Sequence, residues 1–149
     1  MIDPKLLLLA NAAATWGMVG VIWFVQLVHY PLFDSVGEQG FAAYEARHAR
    51  QTTWVVLPLM LVEIATAAAL VAMRPAGVAP WMAWAGLAMV LAVWASTFLV
   101  QVPLHGRLAS GFDARAHALL VGTNWVRTAL WTARGALAAW MLWLAGRAA

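Results

Sequence analysis

Four apolar stretches, Leu6–Val28, Trp54–Ala72, Trp81–Val102 and Ala118–Leu144, run along the chain, each closed by a polar, proline or glycine break. A helix needs about 20 residues to cross the hydrocarbon core of a bilayer, and each stretch is near or above that length. The pattern predicts an all-α fold. It is a four-helix transmembrane bundle with helices over about residues 6–30, 41–73, 81–105 and 116–146, one domain across residues 1–149. The first stretch is longer than the apolar core of a secretion signal. Its leader, Met1-Ile2-Asp3-Pro4-Lys5, is not clearly basic, so it reads as a retained helix. The longest extramembrane loop, Tyr30 to Thr53, joins the first two spans. Its second half, Phe41 to Gln51, has a helical composition that would lead directly into the second span.

Polar residues interrupt these stretches at helical spacing. Gln26, His29 and Tyr30 share a face at the end of the first helix, just before Pro31, and His48, Thr52 and Glu63 fall on one stripe of the second. Thr97, Gln101 and His105 recur every fourth residue on the third, and His117, Asn124, Arg127, Thr128, Trp131 and Arg134 follow a three-to-four spacing on the fourth. Glu63 and Arg127 each lie about 14 Å into their spans at about 1.5 Å of rise per residue. A charge at mid-bilayer costs several kcal/mol unless it faces the bundle interior and is paired. A Glu63–Arg127 ion pair is therefore expected, with Arg134 as a second partner.

Composition agrees with the pattern. The chain is 64% hydrophobic and 10% charged, with a mean hydropathy of +0.79, values that belong to membrane proteins. The absence of cysteine removes disulfides, thiolate metal sites, iron–sulfur clusters and thiol nucleophiles from consideration. Nine Lys/Arg against six Asp/Glu make the chain basic, but the basic residues are scattered without a patch, so no nucleic-acid surface is expected. An even number of spans puts both termini on one side with Lys5, Arg74 and Arg147. The other side holds Arg47, Arg50, Arg107 and Arg115 together with Asp34, Glu38, Glu45 and Asp113. This predicts the inner membrane of a bacterium with cytoplasmic termini, and Trp81, Trp84, Trp140 and Trp143 as an aromatic belt at the inner face. Small-residue runs such as Ala65 to Ala69 permit close helix packing, within one chain or in a homo-oligomer.

The candidate chemistry collects at one membrane face. His29 and His105 each end a span beside a proline and follow a glutamine by three or four residues. With His48 and Glu63 they could supply the ligands of a copper, iron or zinc ion, although no His-x-x-x-His or Glu-x-x-His pair among them singles them out. His29 and His105 facing each other could instead hold a haem. Trp16, Trp94, Trp125 and Trp131 could wall an apolar cavity beneath that polar cap. The ordinary alternative is that these polar groups are interhelical hydrogen-bond glue in a transporter or a subunit of a larger complex.

Thr97, the segment Val100-Gln101-Val102-Pro103-Leu104-His105 with Leu108 beyond it, and Asn124-Trp125-Val126-Arg127-Thr128 resemble the motifs of the anthrone-oxygenase-like family of small four-helix membrane proteins. His29-Tyr30-Pro31 and Pro58 fit the same layout, so the resemblance covers most of the chain. Most members have no known activity, and the characterised ones are associated with oxidising anthrones to anthraquinones with molecular oxygen and no obvious bound cofactor. The resemblance carries over Asn124, Arg127 and Thr128, whereas Gln101 and His105 stand where the family usually has asparagine. It implies a membrane-embedded oxidoreductase, an oxygenase acting on a small hydrophobic or phenolic substrate. His29 or His105 would be the general base, with Arg127, oriented by Glu63, and Asn124 stabilising an oxyanion. Gln26, Gln101, Thr97, Trp94, Trp131 and Thr128 would contact the substrate.

Overall fold

A computed structural model describes residues 3–148, and every regular element among them is helical. Asp3 caps α1 (Pro4–Phe24) by accepting the amide of Lys5 at 2.8 Å, with Pro4 opening the helix, where its missing N–H costs nothing. The rod continues through a π-helical turn, Val25–His29, and ends in a 3-10 turn, Pro31–Ser35. After Gly37, α2 (Glu38–Ala72) runs unbroken for 35 residues. The long first loop of the sequence reading is thus reduced to Tyr30, the 3-10 turn, Val36 and Gly37. At about 1.5 Å per residue α2 is roughly 50 Å long, against a hydrocarbon core of about 30 Å, so one end projects well beyond it.

The third rod is built like the first. α3 (Pro80–Ser96) passes through a π turn, Thr97–Gln101, into the short α4 (Val102–Leu108). Both π turns lie directly before a proline, Pro31 and Pro103. A proline ring cannot donate to the carbonyl four residues back and crowds it, and widening the preceding turn relieves the clash. The last rod, α5 (Ala114–Arg147), is capped by Asp113, which accepts the amides of Arg115 and Ala116 at 2.9 and 3.1 Å.

α1 packs on α2 and α5, and α3 packs on α2 and α5, so the rods form a square with each sequence neighbour adjacent. Three of them, Pro4–Ser35, Glu38–Ala72 and Pro80–Leu108, are long and apolar enough to cross a membrane, which marks the chain as an integral membrane protein. α5 falls short because Asn124, Arg127, Thr128 and Arg134 occupy its middle. The outside of the bundle is apolar, with Trp54 and Leu99 about three-quarters exposed, while Gln26, Glu45, Glu63, Gln101, Asn124, Arg127 and Arg134 are buried. Trp81, Trp84, Trp140 and Trp143 are all exposed toward the end that carries the termini.

Two apolar clusters fill the interior. One gathers Leu8, Leu70, Met82 and Met141 near the termini, and the other gathers Met18, Ile22, Phe33, Phe41, Leu108, Leu120 and Trp131 toward the opposite end. Between them lies a polar knot centred on Glu63. Its Oε1 accepts from Arg134 Nε at 2.7 Å and Thr15 Oγ1 at 2.9 Å, and its Oε2 from Trp131 Nε1 at 3.0 Å. Arg134 also donates to the Gly86 carbonyl and, at 3.3 Å, to Asn11 Oδ1. Asn11 in turn donates to the Glu63 carbonyl at 3.1 Å and to Thr66 Oγ1 at 2.8 Å. The expected Glu63–Arg127 pair is not formed. Counting from the first apolar residue of each span set those two level, but the bundle slides α5 along α2, and Arg134, two turns beyond Arg127, meets the carboxylate.

Removing one partner of a buried ion pair strands the other charge, at a cost of about 3–5 kcal/mol, whereas replacing both by apolar groups costs far less. Glu63→Leu and Arg134→Met should each lower the thermal midpoint in detergent steeply, and the double variant should recover most of the loss. Additive losses would show that the two residues do not act as a pair. Gly77, in the loop between α2 and α3, sits at φ +82°, and a Cβ there would lie 2.8 Å from the Leu144 carbonyl oxygen at the end of α5. Gly77→Ala should therefore destabilise the fold by about 1–3 kcal/mol, read as a lower unfolding temperature.

Candidate functional site

The two π turns and the projecting start of α2 converge at the end of the bundle away from the termini. Tyr30 follows the first π turn, and its amide donates to the Val25 carbonyl five residues back at 2.9 Å. Its hydroxyl lies 2.8 Å from Nε2 of His105, two residues past Pro103. The other ring nitrogen of His105, Nδ1, is paired with Oε1 of Glu45, a wholly buried carboxylate on α2. One turn along α2, His48 Nδ1 lies 2.8 Å from His29 Nε2 and 3.1 Å from Thr52 Oγ1. One ligand atom each from Glu45, His48 and His105 falls within 4.8 Å of the other two. Phe33, on the 3-10 turn, is wholly buried among the rings of His29, His48, His105 and His117 with centroids 5.2–6.4 Å away. His117 Nε2 donates to the Tyr30 carbonyl at 2.8 Å, tying α5 to the same corner.

Beneath this cap lies a cavity of about 570 Å3. Met18, Ile22, Val25, Val56 and Met60 form apolar walls, Tyr30, His48 and His105 form the roof, and Trp94, Thr97, Gln101 and Arg127 reach it from α3, the second π turn and α5. Leu57, Phe98 and Val102 also line it and are 41–53% exposed, so its mouth opens between the second and third rods onto the apolar outer surface. Arg127 Nε is buried without a partner among the described residues, and the guanidinium lies 5.2 Å over the Trp131 ring and close to the Tyr30 hydroxyl. Trp94 Nε1 and Gln101 Oε1 are likewise buried without partners, although Gln101 Nε2 donates to Thr123 Oγ1 at 2.9 Å. Thr97 spends its hydroxyl on the Val93 carbonyl at 2.8 Å.

The structure divides the residues singled out in the sequence. His105, Arg127, Trp94, Thr97 and Gln101 share the cavity with His48 and with Tyr30. Glu63 does not. It lies about 22 Å along α2 from His48 at about 1.5 Å per residue, and it neither orients Arg127 nor belongs with the histidines. Trp131 is turned to Glu63. Asn124 and Thr128 both donate to Gln26 Oε1, at 2.9 and 3.4 Å, and Gln26 Nε2 donates to the Val121 carbonyl at 3.2 Å. Gln26, Asn124 and Thr128 therefore join α1 to α5 behind the cavity wall. Trp16 and Trp125 are about half exposed on the outside of the bundle and wall nothing. His29 backs onto His48 without lining the cavity, and the opposed His29–His105 pair that a haem would need is not formed.

Two residues of the site were not read as site residues from the sequence. Tyr30 was counted with its stripe but given no role. Glu45 was read only as an acid of the outer loop, yet Glu45-Ala46-Arg47-His48 is a Glu-x-x-His pair that a helix brings to one face, and a search for ligands at helix ends passes it by. No family model, curated protein or solved structure matches the chain.

Proposed function

We propose that this chain is a membrane-embedded oxidoreductase, an oxygenase in the manner of the anthrone-oxygenase-like proteins, acting on a small apolar substrate that bears a phenolic or enolic oxygen. The observation that carries this reading is an apolar chamber, open toward lipid, lined by polar groups left without partners and roofed by a hydrogen-bonded chain of Glu45, His105 and Tyr30. Unpaired buried polar groups are costly and tend to mark a ligand's place. Arg127 and the Trp94 N–H are donors suited to a developing oxyanion, and Gln101 Oε1 is an acceptor suited to a substrate hydroxyl.

An imidazole carries protons readily near neutral pH, and His105, held by Glu45 and Tyr30, is the one placed to take a proton at the roof of the chamber. Loss of an acidic C–H proton to His105 leaves an enolate whose oxygen Arg127 would hold; its carbon adds dioxygen and regains the proton as a hydroperoxide, and O–O cleavage with loss of the second C–H proton leaves a carbonyl and one water. In this reading α5 is the fourth span, crossing with its charges turned inward, and the bundle sits in a bacterial inner membrane with cytoplasmic termini. The burial of Asn124, Arg127, Thr128 and Arg134 supports the first point, and the nearly acid-free set Lys5, Arg74 and Arg147 supports the second.

Detergent-solubilised protein should consume oxygen when given anthrone, and bind naphthol with quenching of tryptophan fluorescence that Trp94→Phe diminishes. Arg127→Met should lower the oxygen-uptake rate by about 10²–10³-fold, the usual effect of losing one oxyanion donor, while still admitting an analogue that lacks the oxygen. Folded protein that neither binds naphthol nor consumes oxygen with any hydrophobic phenol would overturn the reading.

A further inference from the structure

The roof of the cavity holds a second chemistry. Glu45 and His48 stand one turn apart on α2 and His105 reaches them from α4, with ligand atoms within 4.8 Å of one another. Two ligands on one small divalent ion with bonds of about 2.1 Å lie about 3.4 Å apart at a tetrahedral angle, so a closure of no more than about 1.4 Å, within the reach of side-chain rotation, would complete the set. Glu45 supplies an independent sign. Its side chain is wholly buried, yet among the described residues Oε2 has no partner, and its only hydrogen bond is the one between Oε1 and His105. A buried carboxylate with half its acceptors idle is expensive in an apolar bundle, and a cation is the group that satisfies it.

The surroundings of the two histidines fit the same assignment. A histidine that binds metal through one nitrogen is normally fixed by a hydrogen bond at the other. His105 presents Nδ1 to Glu45 and holds Tyr30 at Nε2, while His48 is held at Nδ1 by Thr52 and His29, leaving Nε2 without a partner among the described residues. We infer that Glu45, His48 and His105 form a binding site for a first-row divalent metal ion, a set of two imidazoles and one carboxylate whose remaining coordination positions face the cavity that His48 and His105 line. The inference rests on the reading of that cavity as a reaction chamber. It gives the chamber a redox-capable group, which a chain without cysteine otherwise lacks. Glu63, too far along α2, takes no part, and His29 acts by orienting His48.

The test is a Co2+ titration of detergent-purified full-length protein, prepared without a histidine tag and followed by visible absorption and by metal analysis after desalting. One Co2+ per chain, with d–d bands of a low-coordinate site, is expected. Glu45→Gln and His105→Gln should each weaken binding at least 100-fold. Thr52→Ala, which touches only His48 and leaves the ligands in place, should weaken it about 10-fold, and His117→Gln should leave it unchanged. A folded wild type that takes up no stoichiometric Co2+, or undiminished binding in folded Glu45→Gln and Thr52→Ala, overturns the site. If the ligand variants fail to fold, the wild-type stoichiometry and Thr52→Ala decide it alone. Co2+ binding without oxygen uptake on any phenol would sink the oxygenase reading and leave the metal site standing, whereas folded protein that takes up no Co2+ yet binds naphthol and consumes oxygen would do the reverse.

Discussion

Glu63 is wholly buried in the middle of a bundle whose outside is apolar, and both of its carboxylate oxygens and its carbonyl are matched by donors from α1 and α5. Such a group can be neither left alone nor moved without stranding a charge, so it sets the axial register of α1, α2 and α5 against one another. Arg134 also reaches across to α3, where it donates to the Gly86 carbonyl. With all four rods pinned at one height, the end away from the termini has a defined geometry, and the cavity and its roof inherit it.

At that end the helices are irregular by design of sequence. Pro31 and Pro103 lie at matching places on the first and third rods, and each is preceded by a widened turn. The widening frees Tyr30 and His105 from a regular helical stripe and lets them meet each other at 2.8 Å. Phe33 fills the space among four histidines, so the polar roof is packed against an aromatic plug and separated from the loop side by apolar contacts. Low polarity around a few charged groups strengthens every interaction they make, which suits both proton transfer and ion binding.

Much of this was legible in the chain. The spans of the first three rods followed from hydropathy alone, and the inward stripes of the third and last rods led to Thr97, Gln101, His105 and Arg127 because helical spacing is preserved within a rod. What spacing cannot carry is register between rods. Glu63 and Arg127 were paired by depth counted from helix starts, but α2 begins sixteen residues before its apolar segment and α5 slides past it, so Arg134 takes the carboxylate. Glu45 was hidden for a related reason. It lies in a stretch polar enough to pass for a loop, and only the continuation of α2 to Glu38 brings it over the bundle interior.

The widened turns make the upper corner of the bundle sensitive to length in a way its lower half is not. Each holds one residue more than a regular turn, and a helix rotates by about 100° for each residue. Deleting a single residue between Val25 and His29 would restore an uninterrupted helix and leave the apolar spans intact. It would also swing the Tyr30 hydroxyl away from His105. Insertions and deletions in related chains would thus be selected against from the Glu63 knot up to the widened turns and tolerated in the loops outside that stretch, so that a family of such proteins would hold helix length nearly constant between those two levels.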